Sequence, residues 1–179
     1  MPQEQFTLAW SFWMFWSLAF LGFPIGGLLA HLTVGPITNA LRAGLAGAIT
    51  GAVIGLGQWL VLGGALPLSA GWILATSAGM AIGMGISAAL LGTEPGGNRL
   101  LWRAGITGLC IGSAQWFIFR QIMPGSVIWI ALIGAGWVLG WFVTRSAGVD
   151  LSLRWPVFGA TGALAFQFLT GLALYFMVR

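Results

Sequence analysis

This chain of 179 residues has very few charged side chains: it contains no lysine, and its seven arginines and three acids are only 6% of the residues. A soluble domain carries about 25% charged residues. Hydrophobic residues make up 59% of the chain, and the mean hydropathy is +0.96. A soluble chain of this length would have to bury nearly every helix on all sides, which its size does not allow. The composition therefore predicts an all-α integral membrane protein.

Side chains that carry out catalysis or bind metals are also scarce. His31 is the only histidine, Cys110 is the only cysteine, and the acids Glu4, Glu94 and Asp150 lie near the N-terminus or in loops. The metalloprotease, phosphate-loop and CxxC motifs are all absent from the sequence. A single histidine near a membrane surface is a weak signal for a haem or chlorophyll ligand. We therefore predict no catalytic residue, no metal site and no enzyme activity, and the sequence leaves the cofactor unknown.

The basic residues are spread along the chain and do not form a patch. A net charge of +4 would suit nucleic acid, but nucleic-acid binding requires clustered basic residues. Arg42, Arg99, Arg103 and Arg154 stand at the starts of apolar segments, where arginine side chains meet anionic lipid headgroups. Membrane lipids are thus predicted partners, and nucleic acid is not.

Six apolar segments have the length of about 20 residues that a membrane-spanning helix needs. They cover roughly residues 6–30, 41–62, 69–91, 101–122, 125–144 and 155–178. Glycine and proline stand in the breaks between them. No break is long enough to form a second domain, so residues 1–179 are predicted to form a single transmembrane domain.

The arginines also predict an orientation. The loops at 31–41, 92–100 and 145–154 lie on one side together with five arginines, whereas the other side has only Arg120 and Arg179. Positive charge favours the cytoplasmic side. We therefore predict that these three loops are cytoplasmic and that both termini are not.

The chain repeats itself. Residues 42–83 and 99–140 align without gaps at an offset of 57 residues, and 15 of the 42 aligned positions are identical. The identities include Gln58 with Gln115 and Trp72 with Trp129. Internal repetition identifies the unit from which a fold is built, here a hairpin of two helices.

Weaker copies of the two halves occupy the chain ends. Trp16 and Gly27 of the first segment match Trp72 and Gly83 at an offset of 56, and the last segment has Gln167 shortly after a Thr-Gly pair. Six segments then form three hairpins of the same orientation. Parallel repeats of this kind are related by an axis along the membrane normal. The sequence predicts a pseudo-threefold bundle.

The repeated polar residues are the candidates for a binding site. They are three glutamines and three threonines, namely Gln58, Gln115, Gln167, Thr50, Thr107 and Thr161. A primary amide in hydrocarbon must find hydrogen-bond partners. The glutamines therefore either line a polar pocket or path, or hold neighbouring helices together by interhelical hydrogen bonds.

Nine glycines at helical spacing are predicted to pack helices closely, as small residues do in membranes. They are Gly47, Gly51, Gly55, Gly79, Gly83, Gly108, Gly112, Gly136 and Gly140. The alternative is that these ridges face a partner chain or a flat ligand. Seven of the 11 tryptophans fall near the predicted interfaces and are interpreted as an aromatic belt. This group comprises Trp59, Trp72, Trp116 and Trp129 at one interface and Trp102, Trp141 and Trp155 at the other.

Three functions remain open at this level. The first is a non-enzymatic accessory or scaffolding subunit of a larger membrane complex, with other subunits or a second copy as partner. The second is a small channel or transporter whose polar path passes Gln58, Gln115 and Gln167. The third is a protein that binds a lipophilic ligand or pigment.

Overall fold

A computed structural model describes residues 10–94, 99–148 and 160–178, and every regular element within these ranges is helical. The elements are α1 (Trp10–Leu18), a 3-10 turn (Ala19–Leu21), α2 (Gly22–Val34), α3 (Ala40–Leu62), α4 (Gly71–Leu91), α5 (Arg99–Phe119), α6 (Ile128–Ser146) and α7 (Ala160–Met177). The predicted all-helical fold is confirmed.

Five helical stretches are long and apolar enough to cross a membrane, which indicates a multi-pass membrane protein. The first is Ser11–Val34, in which α1, the 3-10 turn and α2 form one rod, and the others are α3, α4, α6 and α7. Helix α5 has 21 residues but is the least apolar of the long helices. Arg99 and Arg103 in its first five residues contribute to this difference.

The helix boundaries differ from the expected ones mostly at the proline-containing turns. Helix α5 ends at Phe119 instead of 122, because residues 120–127 form hydrogen-bonded turns around Pro124 before α6 begins at Ile128. The first rod continues past Ala30 to Val34. Helix α3 begins one residue earlier than expected, where the Asn39 side chain accepts a hydrogen bond from the Arg42 backbone N–H at 2.9 Å. The expected segments at 6–9 and 155–159 lie outside the described residues.

The 3-10 turn in the first rod has a cause in the sequence. Pro24 has no backbone N–H, so the carbonyl of Phe20 lacks its usual helical partner and the chain tightens locally. Three 3-10 residues rise about 6 Å, as far as four α-helical residues. The turn therefore lets this rod match a regular helix with one residue fewer.

This shift changes which glycine of the first rod corresponds to Gly83. A Cβ at Gly26 would lie 3.0 Å from Thr50 Cα, just as a Cβ at Gly83 would lie 2.6 Å from Thr107 Cα. A Cβ at Gly27 would meet nothing within 4 Å. The sequence match of Gly27 with Gly83 is therefore wrong, and the contacts assign that place to Gly26, 57 residues before Gly83.

The rods form a closed ring. Each of α3, α4, α5 and α6 packs against its two neighbours in sequence, α2 packs on α3, and α1 packs on α7. The first rod thus closes the ring between α3 and α7. An up-and-down arrangement of this kind leaves one central space that all the rods face.

The predicted packing glycines lie where neighbouring helices meet. A Cβ added at any of them would come within 3.0 Å of an atom of the adjacent helix. This holds for Gly47, Gly51, Gly55, Gly79, Gly83, Gly108, Gly112, Gly136 and Gly140. Only glycine permits such close approach of two backbones. These ridges therefore face other helices of the same chain.

Candidate functional site

The three glutamines predicted as site residues come together at the centre of the ring. The side chains of Gln58, Gln115 and Gln167 are 2%, 1% and 0% exposed. Gln115 Nε2 donates to Gln58 Oε1 at 3.2 Å, and Gln58 Nε2 donates to Gln167 Oε1 at 2.9 Å. Gln167 Nε2 donates in turn to the backbone carbonyl of Trp16 at 2.9 Å. The three amides thus form one continuous hydrogen-bonded chain.

Two buried indoles fix the direction of that chain. Trp72 Nε1 donates to Gln58 Oε1 at 3.3 Å, and Trp129 Nε1 donates to Gln115 Oε1 at 3.1 Å. An indole N–H is a donor only, so each amide must turn its oxygen toward the tryptophan. Because both contacts join residues 14 apart in the sequence, the same interaction recurs 57 residues later.

These contacts correct the interpretation of Trp72 and Trp129 as members of an aromatic belt. Trp72 is 0% exposed and Trp129 is 1% exposed, so neither ring faces lipid. Trp16 and Trp137 are also buried, whereas Trp102 is 71% exposed. Trp155 lies outside the described residues. The rings of Trp72 and Trp129 point into the bundle.

The third indole pairs with a threonine and not with a glutamine. Trp16 Nε1 donates to Thr170 Oγ1 at 3.1 Å, and that hydroxyl donates to the Phe166 carbonyl at 2.8 Å. Gln167 stands about one turn earlier on α7 and reaches across to Gln58. The three glutamines therefore do not occupy equivalent positions, which departs from the pseudo-threefold symmetry that the sequence predicts.

Thr76 completes the group, which we call the amide–indole cluster: Gln58, Gln115, Gln167, Trp16, Trp72, Trp129, Thr76 and Thr170. Gln115 Nε2 also donates to Thr76 Oγ1 at 2.9 Å, and Thr76 Oγ1 donates to the Trp72 carbonyl at 2.8 Å. Four buried side-chain atoms in the described part of the chain lack a hydrogen-bond partner, and none of them belongs to this cluster. A satisfied buried network of this kind makes a core more rigid and more specific.

Apolar layers enclose the cluster on both sides. Toward one end of the bundle, Ile54, Ile111 and Phe166 lie one turn from Gln58, Gln115 and Thr170, respectively. Toward the other end, Leu62, Phe119 and Leu174 lie one turn from the same three residues. All six side chains are 3% exposed or less. The cluster is therefore sealed from both ends in this conformation.

A cavity of about 250 Å³ lies inside the ring, between the amide–indole cluster and one end of the bundle. Residues of every helix from α2 to α7 line it, including Phe23, Gly27, Ala46, Thr50, Met84, Ser87, Arg103, Thr107, Trp137, Trp141, Thr144, Ala163 and Phe166. Most of the lining is apolar, with a few polar groups among it. Such a combination is typical of small-molecule sites.

The cavity extends from the end of the bundle inward to its middle. Its lining includes loop residues Pro36 and Thr93 at one end and reaches Thr50, Thr107 and Phe166 inside the bundle. Thr50 is ten residues into α3, about 15 Å from that end at the helical rise. Gln58 lies a further ~12 Å along the same helix. The cavity and the amide–indole cluster therefore follow one another along the centre of the ring.

The end at which the cavity reaches the loops is the basic one, and we call it the arginine end: the loops at 35–39 and 92–94 with Arg42, Arg99, Arg103 and Arg145. Arg103 Nη1 donates to the backbone carbonyl of Glu94 at 2.9 Å. Arg103 Nε is buried and has no hydrogen-bond partner among the described residues. Arg42 Nη1 donates to the Pro36 carbonyl at 3.2 Å. Positive charge thus gathers at the cavity mouth.

The remaining predicted site residues are divided between the cavity and the surface. Thr50 and Thr107 line the cavity, and the Thr50 hydroxyl donates to the Gly26 carbonyl at 3.2 Å. Thr161 is exposed, and Thr144 takes the interior place on the neighbouring helix, where its hydroxyl accepts from the Gly162 N–H at 3.2 Å. Arg42 and Arg99 are exposed, and Arg154 lies outside the described residues.

Sequence reasoning missed Arg103 as a cavity residue and Trp16, Trp72, Trp129, Thr76 and Thr170 as partners of the glutamines. A signal for Trp72 was present, because it stands seven residues before Gly79 and so shares the face of α4 that packs inward. No cluster of three or more potential metal ligands occurs in the part of the chain that the structure describes. Comparison with protein-family models, curated proteins and solved structures finds no match to this chain.

Proposed function

We propose that this protein binds a small lipophilic ligand in the cavity of its membrane-spanning helical ring. The observation that carries the proposal is the cavity itself, a space of about 250 Å³ that six rods surround and that the side chains of the described residues leave unfilled. Protein interiors otherwise pack closely. In this chain the side chains of the amide–indole cluster and of its two apolar layers are at most 3% exposed. A mostly apolar lining with a few polar groups suits a lipophilic molecule.

The proposal includes six spans arranged as three parallel hairpins in the single domain 1–179. Helix α5 is about 31 Å long at the helical rise, the thickness of a bilayer core, and it packs between two apolar spans. Contacts recur at an offset of 57 residues: Trp72 donates to Gln58, and Trp129 donates to Gln115. These recurrences support a pseudo-threefold arrangement with a modified third copy. By the distribution of arginine, the arginine end faces the cytoplasm and both termini do not.

A scaffolding role remains a separate hypothesis. The glycine ridges and tryptophans that suggested it make contacts within this chain. The glycine ridges contact helices of the same chain, and Trp16 and Trp137 are buried inside it. Trp13 also contacts the chain itself, with its ring 4.4 Å from that of Phe168. The glycines and tryptophans that suggested a surface for another protein therefore mostly contact other helices of this chain.

A channel or transporter is the second candidate, because the cavity and the amide–indole cluster lie in series along the centre of the ring. Conduction would require the cluster and its two apolar layers to separate. A Gln58→Leu variant would then change flux in reconstituted vesicles. If the cluster only holds helices together, the same variant changes stability and no flux exists to be altered.

Gly27 is the position at which an added side chain can be used to block the cavity. It lines the cavity, and a Cβ added there meets nothing within 4 Å. Gly27→Phe therefore places a ring in the empty space. Leu29→Phe is the matched control, because Leu29 is 41% exposed on the outer face of the same helix.

The test is native mass spectrometry of the protein released from its own membranes, followed by identification of small molecules that remain bound. We expect a bound molecule at near-stoichiometric amount with the wild type and Leu29→Phe, and its loss with Gly27→Phe. Equal retention by all three proteins, or none by the wild type, would contradict ligand binding in the cavity.

A further inference from the structure

The guanidinium of Arg103 has more donors than the protein uses. Arginine carries five N–H donors and is always charged. Among the described residues, its one hydrogen bond is from Nη1 to the Glu94 carbonyl, and its buried Nε has no partner. Buried donors in folded proteins nearly always have an acceptor. Since Arg103 lines the cavity, the missing acceptor belongs to whatever occupies that space.

The surrounding charge favours an anion. Glu94 is the only acidic residue among the described residues, and Arg103 contacts it through the backbone carbonyl and not through the carboxylate. Arg42 binds the carbonyl of Pro36, which itself lines the cavity mouth. His31 also contributes to the lining. Arg103 is the only arginine and no acid is present in the described part of the lining, so a negatively charged group there would meet an attractive charge.

The chemistry changes along the cavity. Away from Arg103 the walls are mostly apolar, with Phe23, Met84 and Phe166 among them, and Thr50 and Thr107 add hydroxyl groups inside the bundle. A volume of about 250 Å³ equals that of roughly eight water-sized groups at ~30 Å³ each, and a methylene group is of similar size. The cavity therefore has room for a short alkyl chain.

On the basis of the proposed function, we propose that the ligand is a short single-chain amphiphile with an anionic head, and that Arg103 binds that head. A carboxylate and a phosphate both accept two parallel N–H bonds from a guanidinium. The alkyl chain extends inward along the apolar walls toward Thr107. The head stays at the arginine end, where water and counter-ions reach the loops.

The probe is trifluoro-octanoate, whose binding to the full chain in lipid nanodiscs is measured by fluorine NMR. Partition into lipid is the same for all variants, so the saturable component reports the cavity. We expect saturable binding to the wild type and none to Gly27→Phe. Arg103→Gln should bind about tenfold more weakly or worse, because a charge-assisted pair is lost. Arg103→Lys should recover part of the affinity, and Glu94→Gln should bind like the wild type.

Two further probes separate the sources of recognition. Trifluoro-octanol carries the chain without the charge, and trifluoroacetate carries the charge without the chain. Both should bind at least tenfold more weakly than trifluoro-octanoate. Saturable binding of trifluoroacetate as tight as that of trifluoro-octanoate would assign the site to a free anion and overturn the amphiphile.

The failures of the two proposals differ. If Arg103→Gln binds like the wild type, or trifluoro-octanol binds as tightly as the carboxylate, the anionic head is refuted while ligand binding in the cavity stands. If Gly27→Phe binds every probe as well as the wild type does, the cavity is not a binding site at all. Binding that is absent from the wild type and appears only in Asp150→Asn would also refute the proposal, because Arg103 would then serve an internal carboxylate.

Discussion

Replacing Gln115 by leucine is the most direct perturbation of the amide–indole cluster. The variant keeps the volume of the side chain close to that of glutamine and removes its amide. Three hydrogen bonds disappear: those to Gln58 and Thr76, and the one received from Trp129. Gln58 keeps its indole donor Trp72, but Trp129 is left without an acceptor.

Two separate estimates give the size of the effect. Three interhelical hydrogen bonds at about 0.6 kcal/mol each amount to roughly 1.8 kcal/mol. An orphaned buried donor costs about 1–3 kcal/mol. We therefore expect Gln115→Leu to lower the free energy of unfolding by about 2 kcal/mol. Because part of the loss is the orphaned indole, the double variant with Trp129→Phe should lose less than the sum of the two single variants, by about 1 kcal/mol.

The assay is reversible unfolding by sodium dodecyl sulfate in mixed micelles, followed by far-ultraviolet circular dichroism. Gln121→Leu is the matched control, because Gln121 is exposed and bonds only to the carbonyl of Phe117 within its own turn. That variant should change stability by less than about 0.5 kcal/mol. If Gln115→Leu proves as mild as Gln121→Leu, the cluster does not hold the helices together.

Three further predictions use the same unfolding titration. Gly83→Ala should lower the free energy of unfolding by about 1–3 kcal/mol, because its Cβ would lie 2.6 Å from the facing backbone. Gly27→Ala should be neutral or raise that free energy by up to about 1 kcal/mol, because its Cβ meets no atom. Similar losses for both variants would refute the packing role of Gly83. Thr170→Val should cost about 1–3 kcal/mol by leaving the Trp16 indole without its acceptor, and an unchanged transition would contradict that pairing. Asn39→Ala should cost about 1 kcal/mol through loss of the α3 cap, with no loss expected if the cap contributes nothing.

The features that depend on local sequence could be predicted. The helices follow from long apolar runs between glycine and proline breaks, and α3 was expected within one residue of its observed bounds. Within each helix the packing glycines recur at a spacing of four residues, which by itself places them on one helix face. The close contacts that they make therefore follow from a pattern within single helices.

Features that depend on which helices meet across the ring were harder to predict. The direction of Trp72 and Trp129 was read from their depth in the membrane, although their register with Gly79 and Gly136 points inward. The role of Thr170 depends on which residue of α7 meets Trp16 across the ring, and the position of Gln167 in the sequence does not reveal it. Because of the 3-10 turn at Ala19–Leu21, Gly26 and not Gly27 occupies the place in the first rod that Gly83 occupies in α4.

The cavity could not be read from the sequence. The cavity arises where side chains on six helices do not meet, and no single one of these side chains indicates a cavity by its type or its spacing. Arg103 illustrates the difficulty, because its position at the start of a helix suits a lipid headgroup equally well. Only its burial beside the cavity distinguishes the two roles.

The measurement that tests the central claim most directly is a density map, at side-chain resolution, of the protein purified in native lipid without detergent exchange. The account predicts ordered density inside the ring that touches Arg103 and extends toward Thr107, with the amide–indole cluster intact below it. A cavity that has collapsed, with α2 in contact with α5 and no room for a ligand, would contradict it.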